Sequence, residues 1–289
     1  MKKLLLLPFV ALVCNLVQSQ NASIVPEKTR PRFFAGISYS YMSLESELNG
    51  LTYHSVWYGQ DLGTVIVDDE EMDIINQQTS EIFNRHQLAV EPGMVFLNNN
   101  HWYFEGSILL GMSRIKFNTE IDQPEDNYKT VTSDFKNLAG GLSLNLRYNL
   151  SERWGISLMP YFNYSWGKSE NIVDSIQPLV HFFVNDLDET FDLGYGRLSL
   201  LASYMTGKLI ISLGPGLYYA FINRTYTIDR TNPETLDQYH DQIESSFHAV
   251  SFIDACLRAD WTIIDPLTLS LEAAAGKDLF IKTGLRYNF

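Results

Sequence analysis

From Arg32 to the C-terminus, hydrophobic and polar residues alternate with a period of two. The runs exceed the roughly 5–6 residues usual for strands of soluble domains. Residues 138–150 set Leu138, Gly140, Leu142, Leu144, Leu146, Tyr148 and Leu150 against Ala139, Gly141, Ser143, Asn145, Arg147 and Asn149. Residues 154–167 repeat the pattern, with Trp154, Ile156, Leu158, Pro160, Phe162, Tyr164 and Trp166 on one side. Residues 208–222 do so again through Leu209, Ile211, Leu213, Pro215, Leu217, Tyr219 and Phe221. Successive side chains of a strand point to opposite faces, so each list is one face. The same reading predicts strands over 32–45, 83–97, 102–117, 191–205, 246–262, 267–276 and 278–289, ten in all. Residues 60–68 or 176–184 offer a further pair, which would make twelve.

The connections alternate too. Short links fall at 98–101, 151–153, 205–208 and 263–266, and long ones at 46–82, 118–134, 168–190 and 223–245, with one short exception at Lys277. Short turns on one end and long loops on the other are the habit of an antiparallel up-and-down transmembrane β-barrel. The polarity agrees. One face of each strand is apolar and nearly uncharged while the other is small and polar, the reverse of a water-soluble barrel. About ten tilted residues span the apolar band of such a barrel, and aromatic girdles mark its edges. The expected periplasmic girdle is Phe33, Trp102, Tyr148, Trp154, Tyr204, Trp261, Tyr287 and Phe289. The expected outer girdle includes Tyr41, Tyr164, Trp166, Tyr219, Phe221 and Phe247. The competing architecture is a secreted sandwich with amphipathic strands.

Composition narrows the class. The 289 residues are 45% hydrophobic, too apolar for disorder, and the net charge of −13 argues against a nucleic-acid partner. No apolar run is long enough for a transmembrane helix. Residues 1–20 read as a signal peptide, with Lys2 and Lys3 ahead of the apolar stretch Leu4–Val13 and a cleavage approach at Val17-Gln18-Ser19. Residues 21–31 read as a short periplasmic tether, which leaves 32–289 as the barrel domain. Without the signal, Cys256 is the one remaining cysteine, so no internal disulfide is expected.

The ending Gly284-Leu285-Arg286-Tyr287-Asn288-Phe289 resembles the C-terminal signature of bacterial outer-membrane β-barrels. Residues 149–162 (NLSERWGISLMPYF) are similar in phrasing to the single-domain barrels common in Bacteroidota. The resemblance implies an outer-membrane address in a Gram-negative bacterium and recognition of Phe289 by the barrel-assembly machinery. It rests on pattern, covers the mature chain, and brings no catalytic residue with it.

Inward positions are expected to carry six cations, Arg85, Arg147, Arg197, Arg258, Lys282 and Arg286, and five anions, Glu91, Glu105, Asp254, Asp260 and Glu272. Near-balanced signs in a narrow interior suggest cross-strand ion pairs. The long loops hold 23 acidic residues against Lys129, Lys168, Arg224 and Arg230. Asp68, Asp69, Glu70, Glu71 and Asp73 form the densest cluster, a weak Ca²⁺ candidate that lacks the order of a calcium loop. No cofactor is expected beyond loosely bound divalent cations. Some ten-stranded outer-membrane barrels are surface proteases built on an Asp pair and an Asp/His pair, for which Asp68, Asp69, His240 and Asp241 would have to converge. A lipid-modifying site would instead need Ser246, His248 and an acid such as Asp254 on one face.

The function expected from these features is non-enzymatic: a monomeric barrel whose acidic loops stabilise the envelope, in contact with outer-membrane lipid and lipopolysaccharide, or recognise an extracellular ligand. A narrow passive channel or transporter for small solutes is the alternative, and a protease or lipid-modifying enzyme a third.

Overall fold

The computed structural model describes residues 32–68, 72, 79–121, 129–172, 183–232 and 234–289. The signal and tether segments therefore lie outside the described residues. Among the described residues twelve antiparallel strands form one sheet: β1 Arg32–Trp57, β2 Gln60–Ile66, β3 Thr79–Asn98, β4 Trp102–Ile121, β5 Lys129–Asn149, β6 Trp154–Ile172, β7 Phe183–Thr206, β8 Leu209–Thr231, β9 Gln238–Ala249, β10 Ile253–Ile264, β11 Leu267–Ala275 and β12 Leu279–Asn288. Ten of them, all but β2 and β9, close the barrel. β1 pairs with β12 on one side and β3 on the other, and β8 pairs with β10. Closure removes the edge strands that would leave backbone groups unpaired in hydrocarbon.

The apolar faces lie outside. Ile156 and Leu213 are 43% and 59% exposed, while their neighbours Ser157 and Ser212 are buried, and Leu142 is 45% exposed. The periplasmic girdle stands at the strand ends, with Trp102 against Tyr148 and Trp154 against Tyr204 at ring separations of 4.8 and 4.9 Å. The short turns are built by local polar chemistry. Asn99 Oδ1 accepts the amides of His101 and Trp102, and Ser151 Oγ those of Arg153 and Trp154. Gly207 adopts φ +51° in the β7–β8 hairpin, a conformation that favours glycine.

Above the apolar belt the fold departs from the sequence reading. Most of the segments expected to be long loops are strand: β1 continues to Trp57, β8 to Thr231, and β9 occupies 238–249. The β11–β12 hairpin is short, ending at Gly276–Asp278. Above its tip β1 passes from β12 to β9, and β8 passes from β10 to β9. Ten strands thus become eight. Asp278 fastens the junction, accepting the Glu45 amide at 2.8 Å on one oxygen and the Tyr218 hydroxyl on the other. Higher still, the last β1–β3 pair is Ser46–Glu81 and the last β6–β7 pair is Lys168–Thr190. Among the described residues the extension then divides into a ribbon of β2, β1, β9, β8 and β7 and another of β3 to β6. The expected extra strand at 60–68 exists as β2, paired on β1 outside the barrel wall.

The strand expected over 246–262 is two strands joined by a bulge at 250–252. Six residues from His248 to Ile253 face five from Phe221 to Leu217 across β8. An extra residue flips the alternation. Asp254 and Cys256 face inward as expected, but below the bulge only; above it Phe247 and Ala249 are the buried, inward residues. Phe247 is therefore part of the interior, packed edge-on to Phe83, and does not belong to the outer girdle.

A closed barrel of this kind should resist detergent on a gel. Unheated protein is expected to migrate differently from boiled protein; identical mobilities would weigh against closure.

Candidate functional site: a layered lumen

The lumen is filled in layers, and the inward parity of each strand decides what each layer holds. Nearest the periplasm is a small solvent-connected pocket with about 60 Å³ of room for water, lined by glycines and serines and by Glu91, Glu105, Arg258, Asp260, Glu272, Lys282 and Arg286. Its charges are tied across the barrel. Arg286 on β12 reaches Glu105 on β4 at 2.6 Å, and Lys282 reaches Glu91 on β3 at 2.7 Å. Arg258 grips Asp260 at 2.8 Å and lies 3.8 Å from Glu272. Arg197 on β7 extends the chain to Glu272 at 3.1 Å and Asp254 at 3.3 Å. Gly216 makes room for this cluster, since a Cβ there would sit 2.3 Å from Asp254 Oδ1. Cys256, buried beside it, touches Asp254 and Ser199. Arg147 lies over the Tyr103 ring at 4.8 Å and bonds Asn149.

Arg85 sits at mid-height and is fully buried. It donates to Asn163 at 2.6 Å and faces the Tyr195 ring at 5.9 Å. Of the eleven lumen charges read from the sequence, nine meet an opposite charge in these pairs, while Arg85 and Arg147 are held by neutral groups.

Above Arg85 lies an apolar layer. Leu44, Phe83, Ile115, Phe135, Phe191, Leu193 and Ile222 are buried to 1% exposure or less, with Phe135 and Phe191 4.9 Å apart and Phe83 5.8 Å from Phe191. These residues come from β1, β3, β4, β5, β7 and β8, so the layer crosses the lumen. Over it, in the extension, Arg224 pairs with buried Glu189 and lies 4.4 Å from the Tyr226 ring, and Asp241 accepts from Ser55 at 2.5 Å and Tyr53 at 2.8 Å. Burial pushes the Tyr226 phenol well above its ordinary range, so it stays neutral.

Among the described residues, the catalytic constellations considered from sequence do not assemble. His240 and Asp241 are strand neighbours and face opposite sides. His240 is half-exposed on the outside, 2.6 Å from Asp229, whereas Asp241 is buried inside. Asp68 accepts the Met72 amide through its carbonyl, and Asp69, Glu70, Glu71 and Asp73 lie outside the described residues. Unbroken alternation through 246–262 would put Ser246 and His248 on the inward face of Asp254; the bulge at 250–252 turns them out instead. Among the described residues no group of three or more His, Cys, Asp or Glu is arranged to hold a metal ion. Sequence reading missed Glu189, Arg224 and Asp241 as interior charges because their segments read as loops.

No protein-family model matches the chain, and no curated protein matches it. Among solved structures it is similar to the outer-membrane protease OmpT from Escherichia coli, with 10% identity over 94% of this chain and 100% of that one, at a TM-score of 0.45. It is also similar to the transport unit of the autotransporter AIDA-I from Escherichia coli (11% identity, 97% of each chain, TM-score 0.38). A third is the outer-membrane protein OprG from Pseudomonas aeruginosa (10% identity, 89% and 95%, TM-score 0.36). The closed ten-stranded wall, the apolar exterior and the aromatic girdle carry the conclusion on their own: the chain is a multi-pass outer-membrane β-barrel.

Proposed function

We propose that this is a closed, non-enzymatic barrel of the single-domain Bacteroidota type, acting as a structural or recognition element of the envelope rather than as a conduit. The observation that supports the reading is the apolar layer of Leu44, Phe83, Ile115, Phe135, Phe191, Leu193 and Ile222 across the lumen, backed by the ion-pair struts beneath it. Working parts are then the acidic extracellular segments, bridged loosely by divalent cations to neighbouring lipopolysaccharide or presented to an external ligand. On this reading the protein is a monomer without a cofactor, and Phe289, 75% exposed at the periplasmic rim, is its handle for the assembly machinery.

Planar-bilayer recording tests the proposal. The wild-type protein is expected to give no persistent current, and Phe83→Ala with Phe191→Ala to give a measurable one by opening the apolar layer. A stable open current from the unaltered protein would overturn the reading in favour of a narrow channel.

A further inference from the structure

Between the periplasmic ion pairs and the apolar layer, the lumen holds a polar layer in which one charge lacks a counter-charge. Arg85 on β3 is 0% exposed and reaches across to β6, where its Nη1 donates to Asn163 Oδ1 at 2.6 Å. Among the described residues its Nε and Nη2 have no hydrogen-bond partner. The same holds for Gln87 Oε1, Ser113 Oγ, both amide atoms of Asn137, Asn163 Nδ2 and the Tyr161 hydroxyl, each shut off from solvent. Register sets Gln87 opposite Ser113 and Ser113 opposite Asn137, across β3, β4 and β5. More than half of the unpartnered buried side-chain polar atoms among the described residues thus fall in this one layer. The surrounding carboxylates are committed elsewhere: Glu91 to Lys282, Asp254 to Arg197, and Asp278 to the Glu45 amide and the Tyr218 hydroxyl. Arg147, the other lumen cation held by neutral groups, is not fully buried.

An arginine keeps its proton inside a protein, so this layer carries a full positive charge out of reach of bulk water. A buried charge without an opposite one is strongly unfavourable, and a cluster of unpartnered polar atoms around it calls for an occupant. Ordered water would satisfy hydrogen bonds but leave the charge in place. The unpartnered set also leans toward donors. Arg85 Nε and Nη2, Asn137 Nδ2, Asn163 Nδ2 and the hydroxyls of Ser113 and Tyr161 stand against two amide oxygens, those of Gln87 and Asn137. Asn163 Oδ1 is already taken by Arg85, which leaves its Nδ2 as the free end. Size is limited by the layers on either side, apolar above and ion-paired below. The wall at this height is short, with Ser40, Ser113 and Ser165 buried and the inward positions Gly111 and Gly141 presenting no side chain.

We infer that this layer is a binding site for one small inorganic anion of the halide class, chloride in the periplasm. Arg85 Nε and Nη2 hold the ion, with the hydroxyls of Ser113 and Tyr161 and the amides of Asn137 and Asn163 as the surrounding donors. The ion neutralises Arg85 and ties β3 to β4, β5 and β6 from within. This site lies beneath the apolar layer and does not depend on whether the lumen conducts.

Anomalous diffraction from the full chain, refolded and crystallised with sodium bromide in place of chloride, tests it. A bromide peak beside Arg85 Nε and Nη2 is expected. Ordered water there without an anomalous signal, or close packing alone, would overturn the proposal. Urea unfolding in vesicles, in chloride or in gluconate at equal ionic strength, gives the second readout, since gluconate is too large for the layer. The wild-type folding equilibrium constant should be about tenfold larger in chloride. Arg85→Gln should have the same constant in both salts, whereas Arg147→Gln should keep the full chloride effect. An equal chloride effect in the wild type and Arg85→Gln, or none in the wild type, would refute the site. A peak seen at molar bromide with no chloride effect on folding would mean an adventitious ion only, and would refute it too. If Arg85→Gln does not give the heat-shifted gel band of a folded barrel, the bromide map and the chloride dependence of the wild type decide.

Discussion

Arginine in place of Leu142 is expected to lower the free energy of unfolding from lipid bilayers by about 2–4 kcal/mol, and arginine in place of Ser143 by much less. The two positions are adjacent on β5, so backbone propensity and strand position are matched. Leu142 points outward, 45% exposed, between the Leu138 row and the Tyr148 girdle, near the middle of the apolar belt. A guanidinium there meets hydrocarbon. Ser143 lines the solvent-connected periplasmic pocket, where Glu105 and Asp260 also stand. A guanidinium there finds water and carboxylates. Urea titration of the two variants in vesicles reads the difference, and losses of similar size would mean that the faces are assigned the wrong way round.

The second large effect belongs to Arg197. Its side chain is 1% exposed and holds Asp254, 5% exposed, and Glu272, 18% exposed. Methionine at this position keeps much of the volume but leaves Asp254 buried without its cation. Removing one partner of such a pair costs about 3–5 kcal/mol, most of it the penalty of the charge left behind. Adding Asp254→Asn to Arg197→Met removes that charge, and Glu272 still has Arg258 at 3.8 Å. The double variant is therefore expected to recover more than half of the loss. Urea unfolding of both variants checks this; a double variant as unstable as the sum of the two single changes would show that the charges do not act as a unit.

How much of this was legible in the sequence follows from where alternation has a physical meaning. Within the belt, one face meets lipid and the other a narrow interior. Leu142 against Ser143 or Ile156 against Ser157 therefore reads unambiguously, and so does the inward set of Arg197, Asp254, Glu272, Lys282 and Arg286. Their pairing was not legible. Glu105 meets Arg286 only because the sheet closes through β12, β1 and β3, and closure brings together residues 181 positions apart. Above the belt the contrast changes. Outer faces meet water, so residues such as Thr225, Thr227 and Asp229 alternate with Arg224 and Tyr226 in a polar stretch that reads as loop, although it is β8. Phe247 failed for a different reason: one extra residue at 250–252 reversed the faces, and nothing in the local composition marks it.

The central claim is that even-numbered positions of β5 look at lipid and odd-numbered ones at a filled lumen. It is tested most directly by a spin-label scan. Cysteines introduced one at a time from Leu138 to Tyr148, in a Cys256→Ser background reconstituted in vesicles, are labelled and probed with oxygen, which partitions into lipid, and with a water-soluble nickel chelate. The account predicts a period of two in oxygen accessibility, maximal at 138, 140, 142, 144, 146 and 148, with the chelate excluded from those positions. Oxygen maxima at the odd-numbered positions, or no period at all, would contradict it.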